Sequence, residues 1–138
     1  MSGIIDNMKG YIVNIEERAL ANQYFREVLY TDERVQLVVM SLLPSEDIGE
    51  EVHELDQFIR VEKGEGTAVL DGVGHSIKDG SAVIVPKGTR HNIINTSTTE
   101  PLKLYTLYAP PDHKDGLINK TKADAVANDE PFDGVTSE

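Results

Sequence analysis

Apolar and polar residues alternate along most of the chain in short runs. That two-residue period belongs to strands buried on one face. Strands are expected at Tyr11–Ile15, Phe25–Tyr30, Val35–Leu43, Glu50–His53, Gln57–Lys63, Thr67–Leu70, Val73–Lys78, Ser81–Val85, His91–Thr96 and Leu102–Ala109. The breaks between them carry Pro44, Gly64-Glu65-Gly66, Asp71-Gly72, Asp79-Gly80 and Pro86-Lys87-Gly88. Asp-Gly between apolar runs is a hairpin signal, because a type I′ turn needs positive φ at both central residues. Many short strands at this spacing predict an all-β sandwich or barrel. Helix is expected only at Glu16–Asn22 and at Thr121–Asn128, where Thr121 can cap a run of alanines. The expected layout is a flexible N-terminus over residues 1–10, a barrel over 11–112, and a C-terminal extension over 113–138 ending in a partly disordered acidic tail.

At 138 residues with 39% hydrophobic content, the chain is sized for one core. The 24 acids outnumber the 13 bases, for a net charge of −11, which argues against nucleic acid or an anionic membrane as partner. Nothing resembles a secretory signal or an apolar span, so a cytoplasmic location is expected. The absence of cysteine removes disulfides, thiolate zinc sites, iron–sulfur clusters and a cysteine nucleophile. Imidazole chemistry rests on His53, His75, His91 and His113. The glycines near 64–74 lack phosphate-loop spacing and a following helix, and G-x-S-x-G is absent.

Two segments carry the chemistry. The sharper one runs Gly80, five residues, Pro86, one residue, Gly88, two residues, His91, three residues, Asn95. Turn, strand, tight turn and strand follow in that order, and His91 and Asn95 share a face. The other runs Glu51-x-His53, three residues, Gln57, six residues, Gly64. Glu51 and His53, two apart, point the same way on a strand. Together the segments resemble the two signatures of the cupin family, and the resemblance covers Val35 to Ala109. The second signature is kept at every defining position. In the first, Glu51 stands where the family has its first His, and Gln57 where it has a Glu.

The resemblance implies a single-domain cupin, a double-stranded β-helix or jelly-roll barrel, with a short C-terminal helix or tail. The flavour is that of the group called mannose-6-phosphate isomerase-like. It implies a divalent metal, manganese, iron, zinc, nickel or cobalt, held by Glu51, His53, Gln57 and His91. Mixed nitrogen and oxygen ligands suit all of these ions. It further implies a homodimer, a small polar, sugar-like substrate and isomerase-type proton transfer. Glu51 would be a ligand or, if unligated, the general base. An iron-dependent dioxygenase and a non-catalytic ligand-binding module are the alternatives. Tyr108 faces inward if Leu104 and Thr106 do, with its hydroxyl in reach of a ligand. His75 is expected at the surface. His113 is too, unless its segment folds over the barrel mouth as a lid. Six acids without a base occupy residues 46–56, and five occupy 123–138. The first block surrounds the candidate ligands, which favours a cation and disfavours an anionic substrate.

Overall fold

The computed structural model describes residues 9–138, so most of the expected flexible N-terminus lies outside the described residues. Two antiparallel sheets face each other. The larger takes the order β6 (Ala82–Val85), β3 (Asp56–Lys63), β8 (Leu102–Ala109), β2 (Gln36–Leu42), β1 (Arg26–Thr31) and β9 (Ile118–Asn119). The smaller is β5 (Val73–Lys78), β4 (Glu65–Leu70) and β7 (His91–Asn95). Helices α1 (Ile15–Ala21) and α2 (Lys122–Ala127) lie outside the sheets. This is the expected all-β double-stranded β-helix with a short C-terminal helix.

Inward positions change character along the barrel axis. At one end Leu42, Val61, Leu102 and Leu104 are completely buried. Met40, Ile59 and Ile93 continue the apolar column. At the other end the inward residues are polar. Gln36, Tyr108 and Gln57 lie side by side across β2, β8 and β3 in one register row. His91, which opens β7, is buried too. One end of the barrel is therefore a conventional core and the other a polar mouth.

Asp71-Gly72 makes the expected hairpin, with φ of 48° and 82°, joining β4 to β5. Asp79-Gly80 does not. It carries the chain from β5 in the small sheet to β6 in the large one. There Asp79 Oδ1 accepts the Gly64 N–H at 2.7 Å. The expected strand Tyr11–Ile15 is also absent. Asn14 caps α1 by accepting the Glu17 N–H at 3.0 Å, so Ile15 already belongs to a helix. The edge that such a strand would join is taken: β9 pairs with β1, and Ser137 exchanges hydrogen bonds of 2.9 Å with Thr31. The Glu50–His53 strand shrinks to a single bridge between Glu51 and His91.

Gly64 is a position that only glycine fits. Its φ is +114°, and a Cβ there would lie 2.8 Å from the Pro101 carbonyl oxygen. Gly64→Ala is expected to cost about 2 kcal/mol. Thermal unfolding should register it as a Tm drop of roughly 8 °C. An unchanged Tm would refute the close-approach reading.

Candidate metal centre

The two sequence segments meet through the backbone. Glu51 and His91 form a hydrogen-bonded antiparallel pair, each N–H reaching the other's carbonyl at 2.9 Å. Such a pair sets both side chains on one face. The Gly88 N–H donates to the His53 carbonyl at 2.9 Å, so the Pro86–Gly88 turn fixes where His53 leaves the chain. The Glu51, His53 and His91 ligand atoms lie within 4.8 Å of one another. The His53 and His91 rings have centroids 5.2 Å apart.

Each ring is held at one nitrogen. His91 Nδ1 lies 2.8 Å from the Thr89 carbonyl, which assigns the proton to Nδ1 and leaves the Nε2 lone pair bare. Among the described residues, His91 Nε2 is buried without a hydrogen-bond partner. His53 turns Nδ1 towards Asp112 Oδ1 at 3.9 Å and Nε2 towards Glu51 Oε1 at 3.5 Å. Its Nε2 is likewise buried without a hydrogen-bond partner. Gln57 spends its amide N–H on Thr106 Oγ1 at 3.0 Å, and its Oε1 is a third partnerless buried atom. Native interiors rarely leave such atoms unpaired. Bare imidazole nitrogens, an amide oxygen and a carboxylate suit a divalent cation, so the residues present fit a bound metal. Among the described residues, this Glu/His group could hold one.

Local charge follows this geometry. Burial pushes the Glu51 carboxyl up, but the His53 ring, with Arg26 and His91, outweighs it and holds the group below the usual range. The Glu51 carboxylate raises His53 against the opposing effect of burial, and Asp112 adds to the rise. Burial raises Asp112, with His53 opposing. Burial also raises the Tyr108 hydroxyl, which keeps its proton.

A cavity of about 450 Å³ opens beside the cluster, with Glu51, His53, Asp112, His113, Arg26 and part of α2 on its wall. His113 was expected at the surface, or in a covering lid. It is buried at the mouth, with its ring edge-on to Tyr108 at 5.1 Å and Nε2 3.3 Å from the Tyr108 hydroxyl. Burial drives its pKa down to about 3, so the ring is neutral. Tyr108 faces inward, but its hydroxyl is directed at His113. His75 is exposed, as expected. Asn95 of the second signature is structural: its amide donates to Leu42, Leu43 and Glu100 carbonyls at the far end of the barrel.

Sequence reasoning passed over Gln36, Asp112 and Arg26. Gln36 is fully buried and accepts the Asp112 and His113 N–H groups at 3.2 and 3.0 Å. It donates to the His113 carbonyl at 2.7 Å and to Thr31 Oγ1 at 2.9 Å. An amide in the apolar run Val35–Leu43 was the available signal.

A two-sheet barrel with a histidine–carboxylate cluster at its polar mouth defines the class. The sequence model of the family described as "Cupin domain" matches residues 38–108, and the chain belongs to that family. It is 45% identical to the uncharacterized protein YrkC of Bacillus subtilis over 86% of this chain and 67% of that one. It is 46% identical to an uncharacterized protein of Acanthamoeba polyphaga mimivirus, over 79% of this chain and 71% of that one. The crystal structure of the BH2720 protein from Bacillus halodurans superposes with a TM-score of 0.84 at 40% identity. That match covers 89% of this chain and 98% of the other. No helix among the described residues is long and apolar enough to cross a membrane.

Proposed function

We propose that this chain is a divalent-metal-dependent cupin that moves a proton beside the carbonyl of a small polar, sugar-like metabolite, as an isomerase does. The observation that supports it most is the meeting of the Glu51, His53 and His91 ligand atoms within 4.8 Å of one another, with Nε2 of both rings buried without a hydrogen-bond partner among the described residues, as is Gln57 Oε1. These four residues hold the ion, and Glu51 acts as ligand rather than base. A bound divalent cation would polarise the substrate carbonyl as a Lewis acid. Asp112, a carboxylate on the cavity wall beside His53 and outside the ligand cluster, takes a proton from the carbon beside that carbonyl. That carbon bears a hydroxyl; the proton returns to the former carbonyl carbon while the hydroxyl proton passes to the former carbonyl oxygen, so hydroxyl and carbonyl exchange places and nothing is gained or lost overall. Tyr108 and His113 are positioning residues: they pack against each other and support the segment that carries Asp112.

The test is the metal content of the purified protein by plasma mass spectrometry, with Glu51→Gln beside it. About one manganese, zinc, nickel or cobalt per chain, reduced in the variant, is the expected result. Trace metal after growth in metal-replete medium would leave a non-catalytic ligand-binding module as the better reading. Two nitrogens and one carboxylate also make the donor set of iron-dependent oxygenases, which favours a dioxygenase as the second reading. Oxygen uptake with iron(II) and a candidate substrate separates the two, and strict oxygen independence removes the second.

A homodimer belongs to the same proposal. Edge strand β6 leaves Ile84 68% exposed beside unpaired backbone, a surface suited to a second copy. Light scattering should give twice the 15.2 kDa chain mass. A mass of one chain would remove the dimer.

A further inference from the structure

Arg26 is a cation on the cavity wall that the proposed function leaves unused. It sits on β1 opposite Asn119 of β9, and only 9% of it is exposed. Its Nη1 donates to Asn119 Oδ1 at 3.3 Å, its Cζ lies 5.3 Å from the Phe25 ring centroid, and its Nε has no hydrogen-bond partner among the described residues. Among the described residues no carboxylate forms an ion pair with it. A buried guanidinium without a counter-ion is costly, so a site that keeps one has a use for its charge. Arg26 lines the same cavity as Glu51, His53 and Asp112.

The acidic block disfavours an anion there, but the structure takes most of the block off the cavity wall. Of the six acids in residues 46–56, Glu51 is the one on the cavity wall. Asp47 is tied to Lys122 at 2.5 Å, Glu50 to Arg90 at 3.9 Å and Glu54 to Lys87 at 3.5 Å. Asp56 accepts the Lys87 N–H, and Glu46 accepts the Leu43 N–H. The other five acids of the block lie off the cavity wall. Lys122 also reaches the cavity, but its charge is already used by Asp47. Among the described residues, Arg26 is therefore the cavity-lining cation that has no ion-pair partner.

We infer that Arg26 receives a carboxylate of the substrate, so that the metabolite taken by this site is a small carboxylic acid with a carbonyl or hydroxyl group. The guanidinium fork matches a planar carboxylate in two parallel hydrogen bonds. Asn119 anchors one of its nitrogens, and among the described residues the buried Nε has no hydrogen-bond partner. A monoanion fits better than a phosphate dianion, because Glu51, Asp112 and Asp129 also line the cavity. The inference rests on the proposed function for what happens at the other end of the molecule, but binding at Arg26 is measurable without turnover.

The experiment is titration calorimetry on the full chain with pyruvate, gluconate, glucose and inorganic phosphate, with metal content measured on the same samples. At least one of the two carboxylates should bind, gluconate should bind tighter than glucose, and phosphate should bind weakly. Arg26→Gln should weaken the carboxylate by roughly 30-fold or more while keeping its metal. Arg26→Lys, which keeps the charge and loses the fork, should fall between. No binding of either carboxylate to the wild-type protein overturns the inference. Glucose bound as tightly as gluconate overturns it, and so does phosphate preferred to both acids. These comparisons need no variant, so a misfolded Arg26→Gln would not leave the matter open. Metal-free protein that still prefers carboxylates defeats the proposed function and keeps this inference. Metal-loaded protein without that preference does the reverse.

Discussion

His91→Ala abolishes metal binding while leaving the metal-free protein about as stable as before. The two halves of this expected result have one cause. In the metal-free chain His91 Nε2 is a buried acceptor that nothing satisfies, and only Nδ1 is used, on the Thr89 carbonyl. Removing the ring costs packing beside His53, but it also removes an unpaired polar atom. Losing a direct ligand should weaken metal binding by at least about 100-fold, beyond what loss of an outer partner costs. Binding to the folded state alone stabilises it, by about 2.7 kcal/mol when free metal is 100 times Kd. Thermal melts with and without added manganese or zinc should therefore differ clearly for the wild type and coincide for His91→Ala. An ordinary core histidine gives the opposite pattern: a lower metal-free Tm and no metal-dependent shift in either protein. Retained metal and retained turnover in His91→Ala would end the proposed function.

The barrel and two of its histidines were legible because local rules write them. Two-residue alternation fixes the strands. The Gly80–Asn95 spacing fixes a turn that delivers His91 into the mouth and also holds the His53 carbonyl through Gly88. Features set by distant neighbours left no local trace. Tyr11–Ile15 alternates like a strand, yet β9 and Ser137, more than 85 positions further on, hold the edge it would need. Asp79-Gly80 has hairpin chemistry but connects two sheets, because Val61 of β3 takes the Gly80 N–H. The acidic block looked like an electrostatic field around the site until its members were matched with Lys122, Arg90 and Lys87. Arg26 and Asp112 sit in no motif, and their roles follow from the chain closing over the mouth.

That closure rests on Gln36, and Gln36→Leu is expected to unfasten it. All four hydrogen-bonding capacities of the amide are used, three of them on the backbone of Asp112 and His113. Leucine fills nearly the same space and satisfies none of them. Each buried backbone group left unpaired costs about 1–3 kcal/mol, and the segment avoids part of that by opening to water. The net loss should be about 3 kcal/mol, a fall of roughly 10 °C in Tm. Opening also hydrates His113, whose pKa of about 3 comes mainly from burial. In the wild type the folded ring stays neutral while the unfolded ring takes up a proton below its ordinary value of about 6.5. Stability therefore falls as pH drops from about 6.5 towards 3, by at most about 1.4 kcal/mol per pH unit from this group. In Gln36→Leu that contribution should shrink, and the His113 imidazole signals should titrate near the ordinary value by NMR. Should His113 stay neutral down to pH 4 in the variant, Gln36 is not what holds the segment over the mouth. If the segment does open, Asp112 moves with it, and turnover should fall further than metal content, because the ligands lie on other elements.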